Sequence, residues 1–252
     1  ESEKAREMYR LIGPVARSDM SVLLRGASGT GKEHIAAEIH ERSLRRHKPF
    51  VAVDCGAVSD DLVRSEFFGY CKGAFTGADS DKAGLFQAAE GGTLFLDEIG
   101  NLSLPMQSKL LTAIEKRQIS RLGSTQTMPI DVRLICATNA DIRHMVDEGS
   151  FRQDLLYRIN TIEIHIPPLR ERGNDIILLA EYFLDRYARK YKKEMHGLTR
   201  EAKNKLLKYA WPGNVRELQH TIERAVILGD GSMLKPENFL FHATPKQKKD
   251  EE

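Results

Sequence analysis

The chain has 252 residues, 41% of them hydrophobic and 29% charged, the balance of a soluble globular protein with enough length for one large domain or a large and a small one. Its 38 basic and 36 acidic residues leave a net charge of +2, which does not resemble a strongly basic nucleic-acid-binding module. Apolar runs such as Ser21–Leu24 and Thr93–Leu96 are far too short to span a membrane. The three cysteines, Cys55, Cys71 and Cys136, lack metal-ligand spacing and the eight histidines form no cluster, so a zinc site is not expected, and reduced thiols in a cytoplasmic protein are.

Residues Ser2–Ala16 place Ala5, Met8, Tyr9, Leu11, Ile12 and Val15 at helical spacing and predict an amphipathic helix. Ser21–Leu24 is a short apolar strand that enters a glycine-rich turn, and Glu33–Arg45 continues as a helix, the order a phosphate-binding loop requires. Further strands are expected at Phe50–Val53, Thr93–Leu96, Arg133–Ala137 and Ile162–Ile166. Helices are expected between them, at Leu62–Phe68, Lys82–Ala89, Met106–Lys116 and Asp141–Glu148. Apolar strands alternating with helices predict an α/β fold with a parallel sheet covered on both faces. Gln118–Val132, with Gly123, Ser124, Thr125 and Pro129, interrupts the alternation as a hairpin-like excursion. At Pro167–Pro168 the character changes: helices are expected at Asp175–Tyr191, Thr199–Tyr209 and Asn214–Leu228, with no strand pattern after Asp175. The expected organisation is an α/β domain over residues 1–168, a small helical lid over 169–241 and a charged tail over 242–252.

Two motifs carry chemistry. Gly26-Ala27-Ser28-Gly29-Thr30-Gly31-Lys32 fits GxxxxGK, in which glycines let backbone N–H groups converge on phosphate oxygens and the following helix N-terminus favours negative charge. Lys32 would reach the β- and γ-phosphates of ATP, while Glu33 stands where a metal-binding Ser or Thr is usual. Gly92–Glu98 reads as a buried strand ending in two adjacent acids, at the carboxyl edge where a parallel sheet places ligands. Asp97 and Glu98 are then candidates to hold Mg²⁺, with Glu98 also orienting the attacking water. Acids after a strand are often only helix caps; the upstream glycine loop favours the hydrolytic reading.

Gly73-Ala74-Phe75-Thr76-Gly77-Ala78 is, on residue types, a loop with glycine freedom near each end and one large ring, either tucked into the core or offered to a partner. This hexapeptide, with Gly26–Glu33 and Gly92–Glu98, resembles the AAA+ domain of sigma-54-dependent transcriptional activators, the bacterial enhancer-binding proteins of NtrC type, over residues 1 to about 240. In that family the residue after the loop lysine is typically Glu, so Glu33 belongs to the pattern.

The resemblance implies an ATP-hydrolysing, hexameric ring that remodels the sigma-54 form of RNA polymerase, with Gly73–Ala78 engaging sigma-54 and the Gln118–Val132 hairpin supporting that loop. It implies a sensor role for Asn139 at the end of Arg133–Asn139, and arginine fingers at Arg152 and Arg158 in Phe151–Arg158. A second sensor is implied at Arg216 in Trp211–Glu217, where Asn214 is expected to cap the helix. The family more often has Asn at Asp54, a residue thought to restrain the catalytic Glu; an Asp there repels an ionised Glu98, so a weaker restraint or a shared proton is expected. DNA contact is expected only through a domain outside these residues. The rival expectations are a nucleotide-regulated binding module that does not remodel, and another AAA+ remodeller such as a helicase loader or unfoldase; the intact hexapeptide and acid pair favour the activator.

Overall fold

The computed structural model describes residues 3–57 and 60–241, so the expected charged tail lies outside the described residues. The chain forms two compact units, Glu3–Pro168 and a smaller one from Leu169 onward.

The larger unit begins with helix α1 (Glu3–Arg17), strand β1 (Val22–Arg25), helix α2 (Lys32–Glu41) and strand β2 (Phe50–Asp54). Helix α3 (Asp60–Phe68) leads to the short pair β3 (Gly69–Tyr70) and β4 (Lys82–Ala83), then α4 (Leu85–Ala88) and β5 (Thr93–Asp97). Helix α5 (Leu104–Lys116), the hairpin β6 (Gln118–Ser120) and β7 (Thr127–Pro129), and β8 (Arg133–Thr138) follow. Helices α6 (Ile142–Asp147) and α7 (Gln153–Ile159) and strand β9 (Ile162–His165) complete the unit.

Its sheet is five-stranded, in the order β2-β5-β8-β1-β9, and every pairing is parallel. Successive side chains of a strand face opposite sides, and β1 shows what that does here. Val22 and Leu24 pack with Met8, Ile12, Ile35 and Ile39 of α1 and α2, whereas Leu23 packs with Val63, Phe67, Leu110 and Leu155 of α3, α5 and α7. All six residues of β8 are buried, which is why central strands read as continuous apolar runs rather than alternating ones.

Two expected helices are cut short. Lys82–Ala89 splits at Gly84: Lys82 and Ala83 pair antiparallel with Tyr70 and Gly69, and the helix begins only at Leu85. A Cβ at Gly84 would collide with backbone atoms of Phe67, Phe68 and Gly69, so this crossing requires glycine. The helix expected to reach Arg45 stops at Glu41, and Ser43 Oγ donates back to His40 O (2.7 Å). Arg45 instead bonds Asp19 through Nε and Nη2 (2.8 and 2.7 Å) and Asp131 through Nη2 (2.8 Å). Nearby Arg133 is 1% exposed, and its guanidinium caps the carbonyl end of α1, donating to Val15 O (2.7 Å) and Ala16 O (3.0 Å).

The smaller unit holds α8 (Asp175–Tyr191), β10 (Gly197–Leu198), α9 (Arg200–Lys208), α10 (Asn214–Leu228) and β11 (Met233–Leu234) around a core that includes Phe183, Leu206, Trp211 and Ile222. The parallel pair β10–β11 corrects the expectation of no strands here; two-residue strands are too short to leave an alternating signature. Among the described residues, no helix is long and apolar enough to cross a membrane.

His40 links α2 to the central sheet: it is buried, with Nδ1 2.9 Å from Thr93 Oγ1, and burial holds its pKa below the ordinary imidazole value. Above about pH 6.5 this histidine is neutral in both folded and unfolded chains. Below that, the unfolded chain takes up the proton first, so stability falls as pH drops through the lowered folded value. The melting temperature of the natural chain should therefore fall more steeply from pH 7 to pH 5.5 than that of His40→Gln; parallel curves would remove His40 from the acid response.

Candidate functional site

The loop Gly26–Lys32 leaves β1 at the carboxyl edge of the sheet, anchored by Gly26 N–H donating to Thr138 O (3.2 Å). A Cβ on Gly26 would lie 2.9 Å from Thr30 Oγ1 and 3.0 Å from Ile166 O, so the space is spoken for. Gly29 (φ 75°) and Gly31 (φ 94°) occupy the left-handed region, where other residues are strained. Thr30 Oγ1 donates to Ala27 O (2.8 Å), closing the loop on itself. Lys32 opens α2, its side chain 4% exposed, and Nζ lies 3.1 Å from Gly26 O and 3.2 Å from Glu98 Oε1. Glu33 is exposed on the first turn, as are Ala27 and Ser28 on the loop.

Asp97 ends β5 and accepts the Glu98 N–H through Oδ1 (3.0 Å). Glu98 adopts φ 51°, a left-handed conformation uncommon for a side-chain-bearing residue. Its carboxylate is shared: Oε1 faces Lys32, and Oε2 accepts the backbone N–H of Asn139 (3.1 Å). Asn139 thus reaches Glu98 through its main chain, a contact that residue type alone does not signal. Asp54 stands opposite Asp97 in the β2–β5 register, but its carboxylate accepts the Gly56 N–H (2.8 Å). Burial is the main cause that raises the Asp97 pKa; Lys32 opposes it, and Glu98 and Asp54 add to it. The same acids reinforce burial in pushing the Cys55 thiol up to about 12.

Gly73–Ala78 forms a compact loop after β3. Gly73 N–H donates to Ala78 O (2.8 Å) and Ala78 N–H to Phe75 O (3.0 Å), with Gly73 and Gly77 at φ 78° and 95°. Phe75 is 44% exposed and meets Tyr70 edge-on, and Thr76 is exposed. The loop's root is bound to the β6–β7 hairpin, since Leu122 N–H donates to Gly69 O and Cys71 N–H to Leu122 O (3.0 Å each).

Comparison with known proteins finds the sigma-54 interaction domain matched over residues 1–165, followed by the AAA+ ATPase lid domain over 170–252. The chain belongs to the sigma-54 interaction domain family. It is 50% identical over 234 residues to the transcriptional regulatory protein ZraR of Klebsiella oxytoca, covering 93% of this chain and 53% of ZraR. It is 48% identical over 245 residues to the response regulator PilR of Pseudomonas aeruginosa, covering 97% and 55%. NtrX of Brucella abortus, solved in complex with ATP, superposes with a TM-score of 0.86 at 29% identity, covering 98% of this chain and 56% of that one. The chain therefore spans about half the length of the curated relatives it matches.

Within this sigma-54 interaction domain the two arginines of the Phe151–Arg158 segment have different surroundings. Arg152 is clamped by Asp154, with Nε on Oδ1 (3.0 Å) and Nη2 on Oδ2 (2.7 Å). Its backbone N–H is held by buried Gln107, which also donates to Leu102 O and Ser150 O; Gln107 is a positioning residue that sequence inspection missed, reading as one more polar position of a helix. Arg158 is exposed at the far end of α7 and lines a cavity of about 260 Å³ with Ser21 and Val132. Those residues precede β1 and β8, so Arg158 lies at the amino edge of the sheet and the glycine loop at the carboxyl edge.

No set of three or more His, Cys, Asp or Glu side chains among the described residues is arranged to hold a metal ion. A Mg²⁺ ion carried on a nucleotide would take one or two carboxylates besides phosphate oxygens and keep several waters. Asp97 and Glu98, adjacent at the end of β5, are two carboxylates that could serve it.

In the lid, Asn214 does not cap α10 as expected. It is the first helical residue (φ 53°), 1% exposed, and its Oδ1 accepts the Leu169 N–H (2.9 Å). The preceding turn is held instead by Glu217, which accepts the Gly213 N–H (2.8 Å) and the Tyr209 hydroxyl (2.9 Å), leaving Arg216 exposed beside it. Replacing Glu217 by Ala removes both charge-assisted bonds, and the expected loss is about 1–3 kcal/mol of lid stability, read by denaturant unfolding. A midpoint shift near zero would show that the turn stands without them.

Proposed function

We propose that this domain hydrolyses ATP and uses the cycle to remodel sigma-54 RNA polymerase, as one subunit of a homo-oligomeric, hexameric ring. The observation that carries the reading is the joint placement of Lys32, Glu98 and the Asn139 backbone at the mouth of a glycine loop with no room for side chains at Gly26. NtrX, of the same fold, has been solved with ATP and with ADP, which supports a nucleotide at Gly26–Glu33.

On this reading the loop N–H groups and Lys32 bind the phosphates. Phosphate oxygens compete with Glu98 for the Lys32 ammonium, and Glu98, released from that pairing, orients the attacking water. Asp97, with Glu98 beside it, would hold Mg²⁺, whose charge would stabilise the phosphate oxygens. Asn139 connects Glu98 to the nucleotide's state through its main-chain bond. Asp54, turned to Gly56, adds negative charge beside Asp97 and Glu98 instead of restraining Glu98 by donation. Arg216 enters as a nucleotide-sensing residue on the family resemblance.

Arg152 and Arg158 are assigned to transition-state stabilisation in a neighbouring subunit. The support is local and concerns Arg158, which is at the opposite sheet edge from its own glycine loop; Arg152, whose guanidinium is paired with Asp154, is assigned on the family resemblance alone. Gly73–Ala78, with Phe75 half exposed and Thr76 free of the core, is assigned to sigma-54 contact, and DNA contact to segments outside these residues. The rival reading as a non-remodelling binding module is disfavoured by the retained Asp97–Glu98 pair.

Glu98→Gln should retain ATP binding and lose turnover by about 10²–10⁴-fold; a change under threefold would remove Glu98 from the chemistry. Specific ATPase activity should rise with protein concentration and collapse in Arg158→Ala, whereas concentration-independent turnover would refute action between subunits. Thr76→Ala should hydrolyse ATP at the natural rate and fail to retain sigma-54 in a pull-down. Loss of hydrolysis there would make Thr76 structural.

A further inference from the structure

Tyr70 has no place in the motifs above, yet it is the side chain against which the loop's one aromatic ring rests. The centroids of Tyr70 and Phe75 are 4.9 Å apart with the rings at 66°, an edge-to-face pair. Phe75 is 44% exposed although it sits on a loop whose glycines have nothing within 4 Å of an added Cβ at Gly73 or Gly77. The loop is otherwise open to solvent, and the Tyr70 ring is the aromatic surface that Phe75 meets.

The seat is framed on both sides. β3, which carries Tyr70, pairs with Lys82–Ala83 on one edge and bridges to Leu122 on the other. Beyond Leu122 the hairpin touches the loop again: Gly123 has φ 79°, and a Cβ there would lie 2.8 Å from the Cβ of Ala74. A glycine that allows this approach, and a ring pair one residue further on, hold the loop down between its root and the hairpin.

We propose that Tyr70 is a positioning residue that seats Phe75 against the root of its own loop, withholding it from a protein partner until the ring pair opens. The inference rests on the reading of Gly73–Ala78 as the sigma-54 contact and deepens it. A single edge-to-face pair shifts a local equilibrium by only about two- to tenfold, small enough for a movement of the Leu122–Gly123 hairpin to open it. Gly123→Ala, which forces a Cβ against Ala74 in a left-handed backbone, should open it too.

The test begins without any partner. The amides of Gly73 and Ala78 donate within the loop to Ala78 O and Phe75 O, so their hydrogen exchange reports whether the loop is closed. In Tyr70→Ala these amides should exchange about two- to tenfold faster, in Tyr70→Phe at the natural rate, and the amides of β5 and β8 should be unchanged in both. Tyr70→Leu serves in place of Tyr70→Ala if the β5 and β8 amides lose protection there. Natural exchange at Gly73 and Ala78 in a folded Tyr70→Ala or Tyr70→Leu chain overturns the seat.

Purified sigma-54 is then offered without nucleotide. Tyr70→Ala should retain more of it than the natural chain, and equal or lower retention overturns the withholding role. Phe75→Ala with ATP separates the two ideas. Loss of sigma-54 retention sustains the partner reading whatever Tyr70→Ala does, and natural retention overturns the partner reading while loop exchange alone decides the seat.

Discussion

The ammonium of Lys32, on a side chain only 4% exposed, lies between the carbonyl of Gly26 at 3.1 Å and the carboxylate of Glu98 at 3.2 Å. A cation taken this far out of water is costly unless paired and hydrogen-bonded, and each partner comes from a different part of the chain. Gly26 follows β1; Glu98 follows β5; Asn139, which holds the second Glu98 oxygen, follows β8. Because β5, β8 and β1 are adjacent and parallel, their carboxyl ends arrive side by side, and one ammonium joins two of them. The left-handed backbone of Glu98 is tolerated in that setting, where its neighbours fix both carboxylate oxygens.

The frame behind this cluster is buried and continuous, whereas the parts assigned to movement are held by few bonds. β8 is buried along its whole length and is fixed at its start by the Arg133 guanidinium on the carbonyl end of α1. The Gly73–Ala78 loop, in contrast, hangs on short backbone bonds, one ring pair and the Ala74–Gly123 approach. A rigid scaffold with a weakly held loop is the division that the proposed remodelling role calls for.

Much of this was legible in the chain itself. The glycine loop, the acid pair and the parallel order of apolar strands are local patterns, and each is where its spacing put it. What was misjudged depended on neighbours. Lys82–Ala89 has helical spacing, but Gly84 crosses the backbone of Phe67–Gly69, and a strand pair takes its first residues. Asn214 is a good helix-capping residue by type, yet it is buried and spends its carbonyl oxygen on Leu169. Arg45 continues a helical pattern, but two distant carboxylates draw it away.

The sequence by itself determined the glycine loop, the adjacent carboxylates and the hexapeptide, because the roles proposed for them need particular residue types at short fixed spacing. The tertiary structure alone decided which of them share a site. It set Glu98 between Lys32 and the main chain of Asn139, turned Asp54 toward Gly56, put Gln107 behind Arg152 and laid Phe75 on Tyr70. These contacts join residues from different elements or use backbone atoms that every residue carries, so no residue type announces them before the chain is folded.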